Sequence, residues 1–212
     1  MRTADLIATL AAEAAPIEPI AVTDRIAVAA LLGAAVALVL LGAWLGLRPL
    51  GEAARTGAFW MKASYTVALG FAGLFLVGRL ARPDGRLGRG PLIVLAAIAA
   101  MIALAGLQIA RATPGEAGAL WLGHTWRSCS FNIVVLAAPV FLAIVWALRR
   151  LAPTRLALAG AAAGLLAGAA GATVYGLYCD ETAALFVVTW YTLAIAVCAA
   201  IGALLGARWL RW

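Results

Sequence analysis

Six long apolar runs divide this chain and leave few ways for it to fold. They cover residues 26–47, 59–80, 91–110, 129–148, 156–178 and 183–207. A helix that crosses about 30 Å of hydrocarbon needs about 20 residues, and each run is long enough. The runs do not alternate apolar and polar residues as the strands of a membrane β-barrel would. The sequence therefore predicts an all-α integral membrane protein, a bundle of six transmembrane helices.

Composition agrees that the bilayer is the solvent for most of this chain. Of its 212 residues, 66% are hydrophobic and 12% are charged, whereas soluble domains carry about 25% charged residues. Apart from Lys62 and Arg79, the charged side chains lie between the apolar runs, so the net charge of +7 reflects membrane topology rather than nucleic-acid binding. Lys62 and Arg79 lie near the ends of the second run, where we expect both to snorkel to the interface.

The distribution of Lys and Arg predicts the orientation in the membrane. With the N-terminus in the cytoplasm, eleven basic residues lie inside and five outside. The inner set is Arg2, Arg25, Arg79, Arg82, Arg86, Arg89, Arg149, Arg150, Arg155, Arg208 and Arg211, and the outer set is Arg48, Arg55, Lys62, Arg111 and Arg127. Because basic residues are enriched on the cytoplasmic side, we expect both termini to be cytoplasmic.

Residues 1–24 are predicted to form a cytoplasmic segment that precedes the membrane domain, residues 25–212. Its short amphipathic helix has an apolar face of Leu6, Ile7, Leu10 and Ala14 and a polar face that includes Asp5 and Glu13. Helices that lie on a membrane surface are usually basic, and this one is acidic. A basic protein surface is therefore a better partner for it than lipid. The alternative is a simple lead-in to the first span.

Small residues recur at every fourth position of the fifth run. They are Gly160, Gly164, Gly168, Ala172 and Gly176. Such a stripe lets helix backbones approach closely in lipid, where no hydrophobic force drives helices together. Packing inside the bundle is the favoured interpretation, and a homodimer seam is the alternative.

Two cysteines are predicted to meet at the outer membrane boundary. Cys129 begins the fourth run and Cys179 follows the fifth, and the short connection at 149–155 makes these runs antiparallel neighbours. The two helical paths to that connection are about 30 Å and 36 Å long, so the thiols reach similar depths. A disulfide or a shared soft metal ion is geometrically feasible there. Two ordinary small residues near helix ends are the alternative.

The neighbours of this cysteine pair suggest chemistry for exposed thiols. His124, Asp180 and Glu181 could add metal ligands, although two cysteines and one histidine do not make a permanent zinc site. Arg127 favours Cys129 as the first nucleophile, with Cys179 as its resolving partner. Cys198, deep in the sixth run, is expected to serve packing.

Several catalytic and transport features are missing from the sequence. It has no Cys-x-x-Cys motif, no glycine-rich phosphate loop, a single histidine and no charge in the middle of a run. We therefore expect neither an enzyme nor a resident cofactor, apart from a transiently bound thiophilic metal ion. A thiol-redox enzyme that works with a quinone and a small-molecule transporter remain the alternatives.

An ordered set of segments resembles the NrsF family. The segments are Asp-Leu-Ile-Ala-Thr-Leu at 5–10, Leu-Arg-Arg-Leu-Ala-Pro-Thr-Arg at 148–155, Tyr-Gly-Leu-Tyr-Cys-Asp-Glu at 175–181, Trp-Tyr-Thr at 190–192 and Arg-Trp-Leu-Arg-Trp at 208–212. Members are six-helix proteins of the bacterial inner membrane that act as anti-sigma factors. They hold an extracytoplasmic-function sigma factor at the membrane until stress releases it.

The resemblance implies the same role here and a bacterial inner-membrane location. A sigma factor would be the partner, with no direct contact to nucleic acid, and residues 1–24 would supply part of the binding surface. The resemblance also implies that a cysteine pair takes part in sensing, and Cys129 and Cys179 match it. Because an 11-residue helix is only about 16 Å long, we expect the arginine-rich loops at 82–89 and 149–155 to share the sigma-binding surface.

Overall fold

The computed structural model describes residues 2–13, 19–83, 85–113 and 115–211. Across these residues the secondary structure is helical, with no strand. The helices are α1 (Thr3–Glu13), α2 (Pro19–Trp44), α3 (Leu50–Ala53), α4 (Gly57–Leu80), α5 (Gly90–Arg111), α6 (Glu116–Leu122), α7 (Trp126–Leu148), α8 (Leu156–Tyr175), α9 (Ala184–Phe186) and α10 (Thr192–Trp209). A π-helical turn, Val187–Tyr191, joins α9 to α10.

Six helical stretches in the described part of the chain are long and apolar enough to cross a membrane. They are Val22–Trp44, Gly57–Leu80, Gly90–Arg111, Glu116–Leu148, Leu156–Tyr175 and Ala184–Trp209. This confirms the prediction of six apolar helices, although α2 already begins at Pro19, inside the segment expected to precede the membrane domain.

Local backbone chemistry sets several helix ends. The N–H groups of Leu45 and Gly46 both donate to the Leu41 carbonyl at 2.9 Å, and Gly46 has φ 86°, so α2 ends before the predicted residue 47. The Thr56 hydroxyl accepts from the Phe59 N–H and caps the start of α4. Pro91 occupies the first turn of α5, where its missing N–H carries no penalty.

Helix α8 lies at the centre of the bundle and packs against α10, α4, α7 and α2. Its contact with α10 is a backbone-to-backbone one. A Cβ atom at Gly160 would overlap the Gly202 carbonyl, and a Cβ at Gly164 would overlap the Cys198 carbonyl. A Cβ at Gly168 would lie 2.9 Å from the Cys198 Cβ. The stripe thus packs inside the chain rather than forming a homodimer seam, and Cys198 lies in this contact.

Gly176 does not share this packing role. It is the C-cap of α8, and a Cβ there would approach only carbonyls of α8 itself. The Arg48 guanidinium donates to its carbonyl at 3.2 Å. The prediction that Gly176 belongs to the packing stripe is therefore wrong, because the helix ends at Tyr175.

We predict that Gly164→Val separates α8 from α10 and destabilises the bundle. Overpacking of this kind costs about 1–3 kcal/mol, which at about 2–4 °C per kcal/mol should lower the thermal midpoint measurably. The measurement is fluorescence-detected size exclusion of detergent-solubilised protein after heating. Gly106→Val on α5 is the control, because a Cβ there meets no atom within 4 Å. Equal midpoints for the two variants would contradict close α8–α10 packing.

Candidate functional site

Cys129 and Cys179 come together at one end of the bundle. Cys129 lies in the first turn of α7, and its N–H donates to the Thr125 carbonyl at 2.8 Å. Cys179 follows α8, and its N–H donates to the Tyr175 carbonyl at 3.0 Å. The two sulfurs are free and close enough to interact electrostatically. The predicted proximity is therefore present in the structure, and we call this end of the bundle the cysteine end.

Both thiols are buried, which corrects the expectation that they face water. Cys129 and Cys179 each have 0% relative exposure. The sequence places them near helix ends, but residues 176–183 are hydrogen-bonded back to Lys62 of α4 and to residues 124 and 125 before α7. An ion or oxidant that acts on these sulfurs must enter the protein.

Lys62 is the residue of α4 that holds residues 176–183 in place. Its side chain is 2% exposed, and its Nζ donates to the carbonyls of Cys179 and Glu181, each at 2.7 Å. The expectation that Lys62 snorkels to the interface is therefore wrong. Two backbone carbonyls replace water around the ammonium group, and the ammonium in turn satisfies two buried acceptors.

Glu181 ties residues 176–183 to the start of α7. Its Oε1 accepts from the His124 N–H at 2.6 Å and from the Thr125 N–H and hydroxyl at 3.0 and 3.1 Å. Gly123 turns the chain here with φ 56°, and a Cβ at that position would lie within 2.6 Å of the carboxylate. Because Thr125 stands one turn before Cys129, Glu181 fixes Cys129 relative to Cys179.

The five-residue metal shell does not assemble. No group of three or more His, Cys, Asp and Glu residues that could hold a metal ion occurs among the residues that the structure describes. The Glu181 carboxylate is occupied by residues 124 and 125, the His124 side chain is 90% exposed, and Asp180 is exposed. Only the two thiols remain as a ligand pair.

Arg127 also takes a different partner from the expected one. Its guanidinium lies 5.1 Å from the centre of the Trp126 ring. Lys62, which interacts electrostatically with Cys179, is a cation of the cysteine site. The proposed order of attack by the two thiols therefore loses its premise.

Sequence reasoning missed two tyrosines beside the thiols. Tyr175 and Tyr191 are each 0% exposed, and their ring centres are 6.0 Å apart. Tyr175 lies beside Cys129, and Tyr191 lies beside Cys179. Neither hydroxyl has a partner with the distance and angle of a hydrogen bond. The spacing of Tyr175 and Cys179, four residues apart, is the signal that could have placed Tyr175 here.

The N-terminal helix presents unburied apolar side chains. In α1, Leu6 is 43% exposed and Ile7 is 62% exposed, and Asp5 is exposed as well. Ala14 and the side chains of Leu10 and Glu13 lie outside what the structure describes. The apolar face is available to a partner, at least through Leu6 and Ile7.

A basic groove lies at the opposite end of the bundle from the cysteines. Arg79, Arg86 and Arg155 line a cavity of about 530 Å³ with Pro83 and Thr154, and we call it the arginine groove. The Thr154 hydroxyl donates to the Pro83 carbonyl at 2.8 Å and joins the loop after α4 to the loop after α7.

The arginine groove is built around Arg79 and lies beside the start of α2. The Arg79 Nε donates to the Arg86 carbonyl at 3.0 Å, and its guanidinium lies 5.4 Å from the centre of the Phe75 ring. Thr23, near the start of α2, lines an adjoining cavity together with Arg79. The start of α2, the helix that follows α1 in the chain, thus lies next to this groove.

Comparisons with known proteins show which family this chain belongs to. The model of a family described as "Negative regulator of sigma F" matches residues 10–212. The Anti-sigma-F factor NrsF of Caulobacter vibrioides is 45% identical over all of both chains. The Probable anti-sigma-F factor NrsF of Azospira oryzae is 42% identical, again over all of both chains. No solved structure matches. The resemblance seen in the sequence is therefore confirmed, and this chain belongs to the NrsF family of negative regulators of sigma F.

Proposed function

We propose that this chain is an anti-sigma factor of the bacterial inner membrane. It would hold an extracytoplasmic-function sigma factor at the membrane and release it when a signal acts on Cys129 and Cys179. The observation that carries the proposal is the full-length similarity to two proteins named anti-sigma-F factor and probable anti-sigma-F factor. Membership of a family of negative regulators also favours this role over the quinone-linked enzyme and the transporter.

The orientation follows from charge. The arginine groove and the start of α2 share one end of the bundle, and that end carries the larger set of basic residues. Basic residues mark the cytoplasmic side. The end of the bundle that carries the arginine groove is thus cytoplasmic, together with both termini, and the cysteine end is periplasmic.

The sigma-binding surface combines α1 with the arginine groove. An 11-residue helix cannot supply the roughly 800 Å² per partner of a standard interface. The exposed Leu6 and Ile7 provide an apolar anchor, with Asp5 beside them. Arg86 and Arg155 add positive charge next to the segment from which α1 extends. A partner with one basic and one acidic patch fits both parts.

The cysteine pair senses the signal by changing its own chemistry. A thiophilic divalent cation binds both sulfurs as thiolates, and the two thiol protons pass to water. An oxidant that takes two electrons joins the sulfurs as a disulfide, with the same loss of two protons. Either change alters the bonding around Cys179, whose carbonyl Lys62 holds.

The orientation can be tested with reporter fusions. Alkaline phosphatase is active only in the periplasm and green fluorescent protein only in the cytoplasm. We expect fusions after Trp212 and in the loop at 82–89 to fluoresce, and fusions in the connection at 113–123, which contains α6, to show phosphatase activity. A periplasmic C-terminus would contradict the six-span arrangement.

The partner surface can be tested with Leu6→Asp combined with Ile7→Asp. Each apolar side chain lost from an interface costs about 1.5–3 kcal/mol, so the pair should weaken sigma binding by at least about a hundredfold. Transcription from sigma-dependent promoters should become constitutive, and the sigma factor should no longer co-purify from solubilised membranes. Thr9→Asp adds a charge to the polar face of the same helix and should keep repression. Normal repression by the double variant at normal protein levels would remove α1 from the mechanism.

The sensing role can be tested with cysteine-to-serine variants. Cys129→Ser and Cys179→Ser should each abolish the transcriptional response to Hg²⁺, an ion that two thiolates hold. The double variant should be no worse than either single one, because the pair works as a unit. Cys198→Ser is the control and should respond normally, since Cys198 lies in the α8–α10 contact. A full response from both single variants would refute cysteine sensing and leave the anti-sigma role intact.

A further inference from the structure

Two buried hydroxyl groups at the cysteine end lack the partner that a buried hydroxyl normally has. Tyr175 and Tyr191 have 0% exposure, and neither hydroxyl has a partner with the distance and angle of a hydrogen bond. A buried tyrosine elsewhere in the bundle is satisfied, since the Tyr65 and Thr192 hydroxyls bond to each other at 2.6 Å. An unsatisfied buried hydroxyl is unfavourable, and two at one site call for an explanation.

Each of the two tyrosines lies beside a different thiol. The Tyr175 side chain lies beside Cys129 and near Asn132, which is itself buried. The Tyr191 side chain lies beside Cys179. Each phenol therefore lies beside one of the two sulfurs that the proposed function uses and within electrostatic reach of the other.

The backbone supports this placement of Tyr191. Tyr191 is the last residue of the π-helical turn Val187–Tyr191. Among the described residues of the sixth span, this turn is where the backbone departs from α-helical geometry. A π-helical turn inserts an extra residue, redirects the side chains around it and is frequent at functional sites. Here it places the Tyr191 ring against Tyr175.

We propose that Tyr175 and Tyr191 are positioning residues of the cysteine site, whose hydroxyls donate to the two sulfurs once these bind a thiophilic cation. The inference rests on the proposed function. A thiol is a weak acceptor, so the hydroxyls stay unsatisfied at rest. A divalent cation displaces both thiol protons to water, and each sulfur then keeps a negative charge that accepts a strong hydrogen bond.

Lys62 does not supply these bonds. Its ammonium group is directed to the carbonyls of Cys179 and Glu181, so it contributes a fixed charge and holds the backbone. The hydroxyls of Tyr175 and Tyr191 are the buried donors beside the thiols that the described residues leave unused.

Tyr→Phe variants distinguish a tyrosine that only fills space from one whose hydroxyl donates to a metal-bound sulfur. The two roles differ in what the variant does to metal affinity. Phenylalanine keeps the ring and removes a hydroxyl that makes no bond at rest. The metal-free protein should therefore keep or raise its thermal midpoint. The metal-bound state loses one hydrogen bond to a charged sulfur, so its affinity should fall about tenfold or more.

The experiment uses the purified full-length protein in detergent, with Hg²⁺ as the probe. Affinity is measured by competition with a chelating dithiol, and the sulfur-to-mercury absorption band reports on the sulfurs. For Tyr175→Phe and Tyr191→Phe we expect weaker binding, a band moved to longer wavelength and an unchanged or higher metal-free midpoint. Tyr65→Phe removes a satisfied hydroxyl, so it should lower the midpoint and leave the affinity and the band unchanged.

Two results would overturn the inference. A wild-type affinity and band in both tyrosine variants would show that the hydroxyls do not contact the loaded sulfurs. A lowered metal-free midpoint would show that they support the resting fold instead. Cys129→Ser and Cys179→Ser separate this from failure of the proposed function, because binding that survives both changes would refute cysteine sensing itself.

Discussion

Close backbone packing along α8 is the constraint on which the rest of this bundle depends. Lipid tails are as apolar as leucine, so helices in a bilayer gain little by burying large side chains against each other. The glycines at 160, 164 and 168 instead let the backbone of α8 lie directly against α10. Gly171 approaches Ala137 of α7 in the same way, and Gly73 of α4 approaches Leu166. Because α8 is smooth on several sides, α4, α7 and α10 can surround one helix, and the ends of these helices then lie close together.

The polar chemistry of the protein appears where that central helix ends. Beyond Tyr175 the regular helix ends. The N–H groups of residues 176–179 still donate to the last carbonyls of α8, but the carbonyls of Cys179 and Glu181 need other partners. Lys62 of α4 provides donors for the carbonyls, and Glu181 accepts from the backbone at the start of α7. These bonds bury both cysteines together with two charged groups, an arrangement that is unfavourable in an apolar interior unless each charge is paired and bonded. The same bonds keep Cys129 and Cys179 together in the interior.

The helices, their order and the cysteine pair could be predicted from the sequence. Span lengths follow from bilayer thickness, and the meeting of Cys129 with Cys179 follows from a short connection between antiparallel helices. Burial could not be predicted, because hydropathy treats Lys62 and Glu181 as groups that seek water. The backbone groups that satisfy them leave no pattern in the side chains. The role of Tyr175 and Tyr191 was hidden for a related reason, since a hydroxyl without a partner is recognised only after every nearby acceptor has a position.

The same bonds decide how a change at the thiols can reach the other end of the bundle. Helices α7 and α8 offer one path, because they adjoin the two cysteines. Helix α4 offers another, since Lys62 near its start donates to the Cys179 carbonyl and Arg79 near its end lines the arginine groove. The two residues are 17 positions apart in one helix, or about 25 Å. Under the proposed function, a displacement of the Cys179 backbone would act on Lys62, and through it on α4, because a helix is stiff along its axis. Lys62 and Arg79 thus give α4 a hydrogen bond at each end of the bundle, and a test of coupling between the two ends begins with Lys62.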